Sequence, residues 1–147
     1  MNKRTFMRFP FFKDKALTLS YDDGTIYDKQ LIDVFIAHGL KGTFNLCSSF
    51  FSKKRQLTKE EAIKTYLESN MEVAVHGYNH LSLSNVDIAC ATNDVLLDRK
   101  EHEKTFGRIV KGMAYAYGAY DDRIVGMLKF CGINYARTVD QTGNFEL

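Results

Sequence analysis

The sequence has no tryptophan, one proline and three cysteines, and neither sign of charge dominates it. Each shortage excludes something. Pro10 lies ahead of every periodic segment, so no later helix or strand is broken by a residue lacking an N–H. Cys47, Cys90 and Cys131 stand far apart with no Cys-x-x-Cys pair, which argues against a disulfide framework or a thiolate zinc site and for reduced cysteines in or near a core. Twenty basic residues against eighteen acidic ones leave a net charge of +2, too little to draw in nucleic acid or an anionic membrane. Lys53-Lys54-Arg55 is too short a run for a nucleic-acid footprint. No apolar run approaches the roughly 18 residues that span a bilayer. What is present is the composition of a globular protein, 45% hydrophobic and 26% charged over 147 residues, enough for one domain.

Residues 1–15 form a basic N-terminal segment. Its apolar stretch Phe9-Pro10-Phe11-Phe12 stops at Lys13, short of the roughly 7–15 residues of a secretory-signal core. With no leader or membrane span evident, the chain reads as cytoplasmic. Residues 16–147 form the domain proper, where strands and helices alternate. Ala16 to Tyr21 predicts a strand ending at Asp22-Asp23-Gly24, and Asp28 to His38 a helix with Leu31, Ile32, Phe35 and Ile36 on one face. Gly42 to Leu46 is a second strand. Thr58-Lys59-Glu60-Glu61 is a capping box opening a helix to about Ser69. Met71 to Val75 is a third strand, Val86 to Phe106 a long helix, and Lys111 to Tyr117 a fourth strand. A helix over Asp121 to Phe130 and a strand over Ile133 to Thr138 complete the series. Alternation without a hairpin signal predicts a parallel α/β sheet, either open or a (β/α) barrel cut short.

In such sheets functional groups gather at the rim where strands end. Asp22 and Asp23 follow the first strand, His76 and His80 the third, and Tyr117-Gly118 closes the fourth. Either of the first two segments alone says little, since Asp-Asp-Gly makes a turn and histidines are often satisfied in a core or on a surface. Their meeting at one rim is informative. His76 and His80, four residues apart, are expected on one side of a helical turn. Two neutral imidazoles and the Asp23 carboxylate make a three-ligand set for a borderline metal, leaving a position open for water. Asp22, pointing another way from the same turn, is placed to take that water's proton.

These residues resemble the motifs of the polysaccharide deacetylases, carbohydrate esterase family four. The first motif, Thr/Ser-Phe/Tyr-Asp-Asp-Gly, matches Ser20-Tyr21-Asp22-Asp23-Gly24. The second, His-Ser/Thr-x-x-His, matches His76 to His80, with Gly77 in place of the hydroxyl residue and a loop-bracing hydrogen bond lost. The third, Arg-x-Pro-Tyr-Gly, is kept only as Tyr117-Gly118, with Ala114 for the arginine and Ala116 for the proline. The resemblance implies a distorted, incomplete (β/α) barrel lacking its last strands. It implies one divalent ion, zinc first and cobalt, nickel or manganese as further fits, on Asp23, His76 and His80. Asp22 would be the general base, the Tyr117 backbone N–H an oxyanion donor, and an acetylated carbohydrate the substrate, with N-acetyl groups favoured over O-acetyl.

The sequence departs from the family at two places. It lacks the tryptophan of the fourth motif and the late histidine that serves as general acid. His38 beside Gly39 reads as a helix C-terminus, and His102 within Asp98 to Lys104 as a solvated helix face. Arg137, ending the fifth strand, is a candidate to reach Asp22 in place of the arginine missing at position 114. Asp140 is a weaker candidate for the fourth-motif aspartate, and Tyr115, Tyr117 and Tyr120 could stack on sugar rings or simply pack. The competing reading is a non-catalytic metal- or sugar-binding remnant. An iron-oxygenase triad is disfavoured because it belongs to antiparallel β barrels. An uncovered apolar interior and a free fifth-strand edge would favour a homodimer or aggregation.

Overall fold

The computed structural model describes residues 15–141, so the basic segment, Lys15 apart, and residues 142–147 lie outside it. Five strands form one parallel sheet in sequence order: β1 (Ser20–Asp22), β2 (Thr43–Leu46), β3 (Glu72–Val75), β4 (Gly112–Ala114) and β5 (Tyr135–Arg137). Between them run α1 (Asp28–Ala37), α2 (Lys59–Ala62), α3 (Ile88–Phe106) and α4 (Asp122–Phe130). No helix among the described residues is long and apolar enough to cross a membrane.

Local chemistry accounts for the helix starts. Thr58 accepts from the Glu61 N–H while the Glu61 carboxylate accepts from the Thr58 N–H, the reciprocal cap expected from the sequence. Past Ala62 the chain winds wider through Ile63–Leu67, with Glu68 N–H reaching back five residues to the Ile63 carbonyl. Asp87 and Asp121 cap α3 and α4.

Alternation along the strands sorts the two sheet faces. Tyr21, Phe44, Leu46, Val73, Val75 and Met113 point outward to the helices. There Phe44, Leu46, Tyr66, Phe35 and Phe106 make one apolar cluster, and Val75, Val95, Met113, Ile124 and Leu128 another. The inner face carries Ser20, Asp22, Thr43, Asn45, Glu72, Tyr135 and Arg137. Glu72 accepts from Thr43 (2.6 Å) and from the Tyr135 hydroxyl (2.7 Å), so hydrogen bonds rather than aliphatic layers fill this side. The uncovered apolar interior expected from the sequence is therefore absent among the described residues. Flat, β1 and β5 would lie about 19 Å apart, four strand spacings. Instead Arg137 on β5 bonds to Ser20 and Asp22 on β1, so the sheet is curled into a distorted, incomplete (β/α) barrel.

Some elements differ from the sequence expectation. The first strand pairs only from Ser20, and Leu17 is exposed. The fourth ends at Ala114 rather than Tyr117, because Tyr117 adopts a left-handed conformation (φ 59°) that no strand can hold. The stretch from Asp98 to Lys104 is not a solvated face: Asp98 and His102 are fully buried. Both fall on the stripe Ala91, Val95, Asp98, His102, Phe106 that faces the sheet. Of the cysteines, Cys47 and Cys131 are buried as expected, whereas Cys90 is exposed in the first turn of α3.

Candidate metal centre

The strand ends deliver the expected residues to one place. Asp23 Oδ1 lies 3.7 Å from His76 Nε2 and 3.5 Å from His80 Nε2, and the two imidazole nitrogens are 3.1 Å apart. Ligand atoms on one tetrahedral zinc, at bonds of about 2.0–2.2 Å, stand about 3.3–3.6 Å from one another. The three groups therefore have the spacing of a facial ligand set and form the one metal-competent cluster found among the described residues.

Each ligand is set by its backbone. Asp23 leaves β1 in a left-handed turn (φ 74°) followed by Gly24 (φ 69°), where a Cβ would come within 2.9 Å of Leu46. The four-residue spacing of the histidines is not a helical turn. His76 directly follows β3, Gly77 turns at φ 87° and His80 sits at φ 57°, so an irregular loop folds the second imidazole back onto the first. Asp23, His80 and Tyr117 are three of the six non-glycine residues with positive φ among those described. Such conformations cost roughly 1–3 kcal/mol each and persist where the surroundings fix them.

His76 is buried, and its Nδ1 stands 2.9 Å from the Ala114 carbonyl, which can only accept. Nδ1 therefore donates to that carbonyl, which turns Nε2 toward Asp23 and His80. Burial, then the neighbouring His76, pushes His80 below the ordinary histidine range, which favours its neutral form. Cys47 donates its S–H to the His76 carbonyl, but burial, reinforced by nearby carboxylates, drives its pKa far up and keeps it a thiol rather than a ligand.

Asp22 turns inward. Arg137 Nη2 donates to both its oxygens (2.5 and 2.6 Å), Asn45 donates to Oδ1 (2.9 Å), and Oδ2 lies 4.0 Å from His76 Nε2. Arg137 thus meets the carboxylate that the sequence paired it with. The Tyr117 ring stands edge-on to His80 at 4.6 Å and is largely exposed, whereas Tyr115 is buried and stacks on Tyr120. Of the three tyrosines, Tyr117 stands against the cluster, while Tyr120 is exposed on the far side of its stack with Tyr115. Asp140 is exposed and does not join it. Sequence reasoning missed Asn45, Asp94 and Asp98. The available signal was polar residues in apolar settings: Asn45 between Phe44 and Leu46, and the two aspartates around Val95.

Fold and rim together define a class: a curled parallel (β/α) sheet carrying an Asp/His/His cluster at its strand ends, with a second carboxylate alongside. Residues 12–136 match the family model for polysaccharide deacetylase, and the chain belongs to that family. No curated protein matches the sequence. Among solved structures, the Streptococcus pyogenes deacetylase PplD in complex with acetate is 18% identical at a TM-score of 0.76, covering 82% of this chain and 54% of PplD. The family 4 carbohydrate esterase from Streptomyces lividans in complex with acetate is 17% identical at 0.71, covering 83% of this chain and 62% of the esterase. BA3943, a CE4 family pseudoenzyme from Bacillus anthracis, is 15% identical at 0.66, covering 81% of this chain and 42% of its own. The chain thus spans between 42% and 62% of the length of these three proteins.

Proposed function

We propose that the protein is a metal-dependent deacetylase that removes acetyl groups, N-acetyl in preference to O-acetyl, from a carbohydrate. The observation that carries this reading is the convergence of Asp23, His76 and His80 within 4.8 Å of one another beside Asp22. Asp23, His76 and His80 hold the ion, for which zinc suits the two imidazoles and one carboxylate best. When bound, the ion supplies an acidified water and polarises the acetyl carbonyl. Asp22 accepts the water's proton; Arg137 and Asn45 fix its carboxylate toward the inner face. Tyr117 contributes its backbone N–H to the developing oxyanion and its exposed ring to a sugar face.

A proton must also reach the leaving amine, and neither remaining histidine stands at the rim. His38 ends α1 at the opposite end of the sheet, and His102 is buried. That gap favours a second reading, a non-catalytic metal- or sugar-binding domain. Zinc stoichiometry and turnover of an N-acetylated chito-oligosaccharide by the purified chain separate the two. We expect one zinc per chain, with Asp22→Asn keeping the zinc and losing about 10²–10⁴-fold in turnover. Full zinc with no turnover in the unaltered chain would select the second reading, and no zinc would reject the first and leave only the sugar-binding form of the second. Faster hydrolysis of an O-acetylated xylo-oligosaccharide would reverse the preference for N-acetyl groups. Homodimerisation through the β1 or β5 edge, neither paired with another strand among the described residues, is part of the proposal and is read by light scattering.

A further inference from the structure

The His76–His80 loop has little to hold it in place by itself. Gly77 and His80 are both left-handed, and the bond within the loop, His80 N–H to the Gly77 carbonyl, is long at 3.4 Å. We propose that α3 supplies the hold: Asp94 and Asp98 are positioning residues that keep this loop in its metal-binding shape and thereby set metal affinity. The inference rests on reading Asp23, His76 and His80 as ligands.

Asp98 is fully buried and both its oxygens are in use. Oδ1 accepts from the Ser48 N–H (2.7 Å) and hydroxyl (2.5 Å), and Oδ2 accepts from the His76 N–H (3.1 Å). Ser48 follows β2 and His76 follows β3, so one carboxylate ties two neighbouring strand ends beneath the cluster. His102, one turn further along α3, lies 3.4 Å from Asp98 Oδ1 and donates Nε2–H to the Leu46 carbonyl (2.8 Å), which fixes the carboxylate from behind. One turn earlier, Asp94 Oδ1 accepts from the Asn79 N–H (3.0 Å) and side-chain amide (2.9 Å), and the Asp94 carbonyl accepts from Tyr78 N–H (3.3 Å). The backbone N–H groups of residues 78 and 79 therefore end on Asp94, and that of His76 is shared between Asp98 and the Leu46 carbonyl (3.0 Å). Asp94 Oδ2 has no partner among the described residues and lies 2.7 Å from where a Cβ on Gly77 would stand. Glycine at 77 is thus required twice, by its φ of 87° and by the carboxylate packed over it.

The two aspartates differ in a way that makes the proposal testable. At Asp98 both oxygens face donors, so an asparagine must turn its NH₂ toward an N–H or hydroxyl donor. At Asp94 only one oxygen accepts, so an asparagine keeps the bonds to Asn79. Zinc affinity of the full chain, measured by competition with a chromophoric chelator, is set beside the melting temperature of the metal-free protein. Asp98→Asn and Asp94→Ala are expected to weaken zinc binding about 10- to 100-fold, the range for residues that orient ligands, and Asp94→Asn to stay within about threefold of the unaltered chain. Val95→Ala, a buried apolar truncation on the same helix, should lower the melting temperature and leave affinity within the same threefold. Undiminished affinity in Asp94→Ala and Asp98→Asn would overturn the proposal. So would affinity losses that simply follow melting temperature across all variants, Val95→Ala included. If Asp98→Asn does not fold, the Asp94→Ala and Asp94→Asn pair decides. A chain that binds no zinc before any substitution removes the metal reading itself, an outcome visible without the variants.

Discussion

The turn presenting Asp22 and Asp23 is held both by its backbone and by side chains reaching across the barrel, whereas the loop presenting His76 and His80 is held through backbone N–H groups that meet α3. The Arg137 and Asn45 side chains grip the first turn, whose backbone is anchored by the Asp23 N–H on the Asn45 carbonyl (3.0 Å) and the Ile26 N–H on the Arg55 carbonyl (3.1 Å). The aspartate side chains remain 32% and 47% exposed, against 3% and 18% for the histidines. One arm is open to solvent; the other is closed. That division places the buried supports under the two imidazoles and leaves the two carboxylates open to solvent.

The comparison is tested most severely by removing one ligand from each arm. Both His76→Ala and Asp23→Asn should cost at least about a hundredfold in zinc affinity, since a two-ligand remnant holds zinc poorly. Their effects on the metal-free fold should separate. His76→Ala also opens a buried space and leaves the Ala114 carbonyl without its donor, a loss of about 2–4 kcal/mol. Asp23→Asn touches an exposed group, and asparagine tolerates the left-handed backbone, so the change should stay within about 0.5 kcal/mol. Zinc titration alongside urea denaturation checks both. Equal destabilisation would mean the arms are built alike.

A smaller effect is expected at Arg137, on the open arm alone. Arg137→Ala should lower turnover about 10- to 100-fold, less than loss of Asp22 itself, with zinc affinity and melting temperature little changed. Arg137→Lys should recover only part of this, because one ammonium cannot serve Ser20 and Asp22 together as the guanidinium does. Steady-state kinetics on an N-acetylated oligosaccharide, with KM and kcat separated, supply the measurement. A fall in zinc affinity would place Arg137 under the metal instead.

The open arm was the more legible in sequence. Asp22-Asp23-Gly24 ends an apolar strand with its own turn signal, and Arg137 could be placed from strand order alone. The closed arm showed only its ligands. Its braces sit on α3, where Asp98 to Lys104 is so densely charged that a solvated face was expected, and only the spacing from Val95 to Phe106 reveals that Asp98 and His102 lie inward. A charge-rich stretch and a buried carboxylate look alike until the helix phase is fixed by its neighbours. The loop from His76 to His80 was expected to be helical because a spacing of four suits a helix. Gly77 spoke against that, and the observed turn follows it. An apolar interior partly without cover was expected, although Ser20, Thr43, Asn45, Glu72 and Arg137 alternate with the apolar residues and could have been counted.

The open arm has a buried carboxylate of its own at its root, and the mildest prediction concerns it. Asp28 begins α1, with Oδ2 accepting from the Tyr66 hydroxyl (2.6 Å) and Oδ1 from Thr25 (3.3 Å). Burial raises its pKa above the usual carboxylate value of 3.8, and the two hydroxyls only partly offset this. The folded chain therefore holds this proton more tightly than the unfolded chain. The stabilisation is complete below about pH 3.8 and is lost as pH rises through the folded value, opposite in sign to an ion-paired carboxylate. Asp28→Asn stays neutral throughout. It should flatten that part of the stability profile and match or exceed the native chain near pH 7, less about 0.3–1 kcal/mol for the charge lost at the α1 N-terminus. Denaturation across pH 4–8 distinguishes the profiles. A variant with the same slope would show that Asp28 ionises freely, leaving the open arm rooted on the Tyr66 and Thr25 hydroxyls alone.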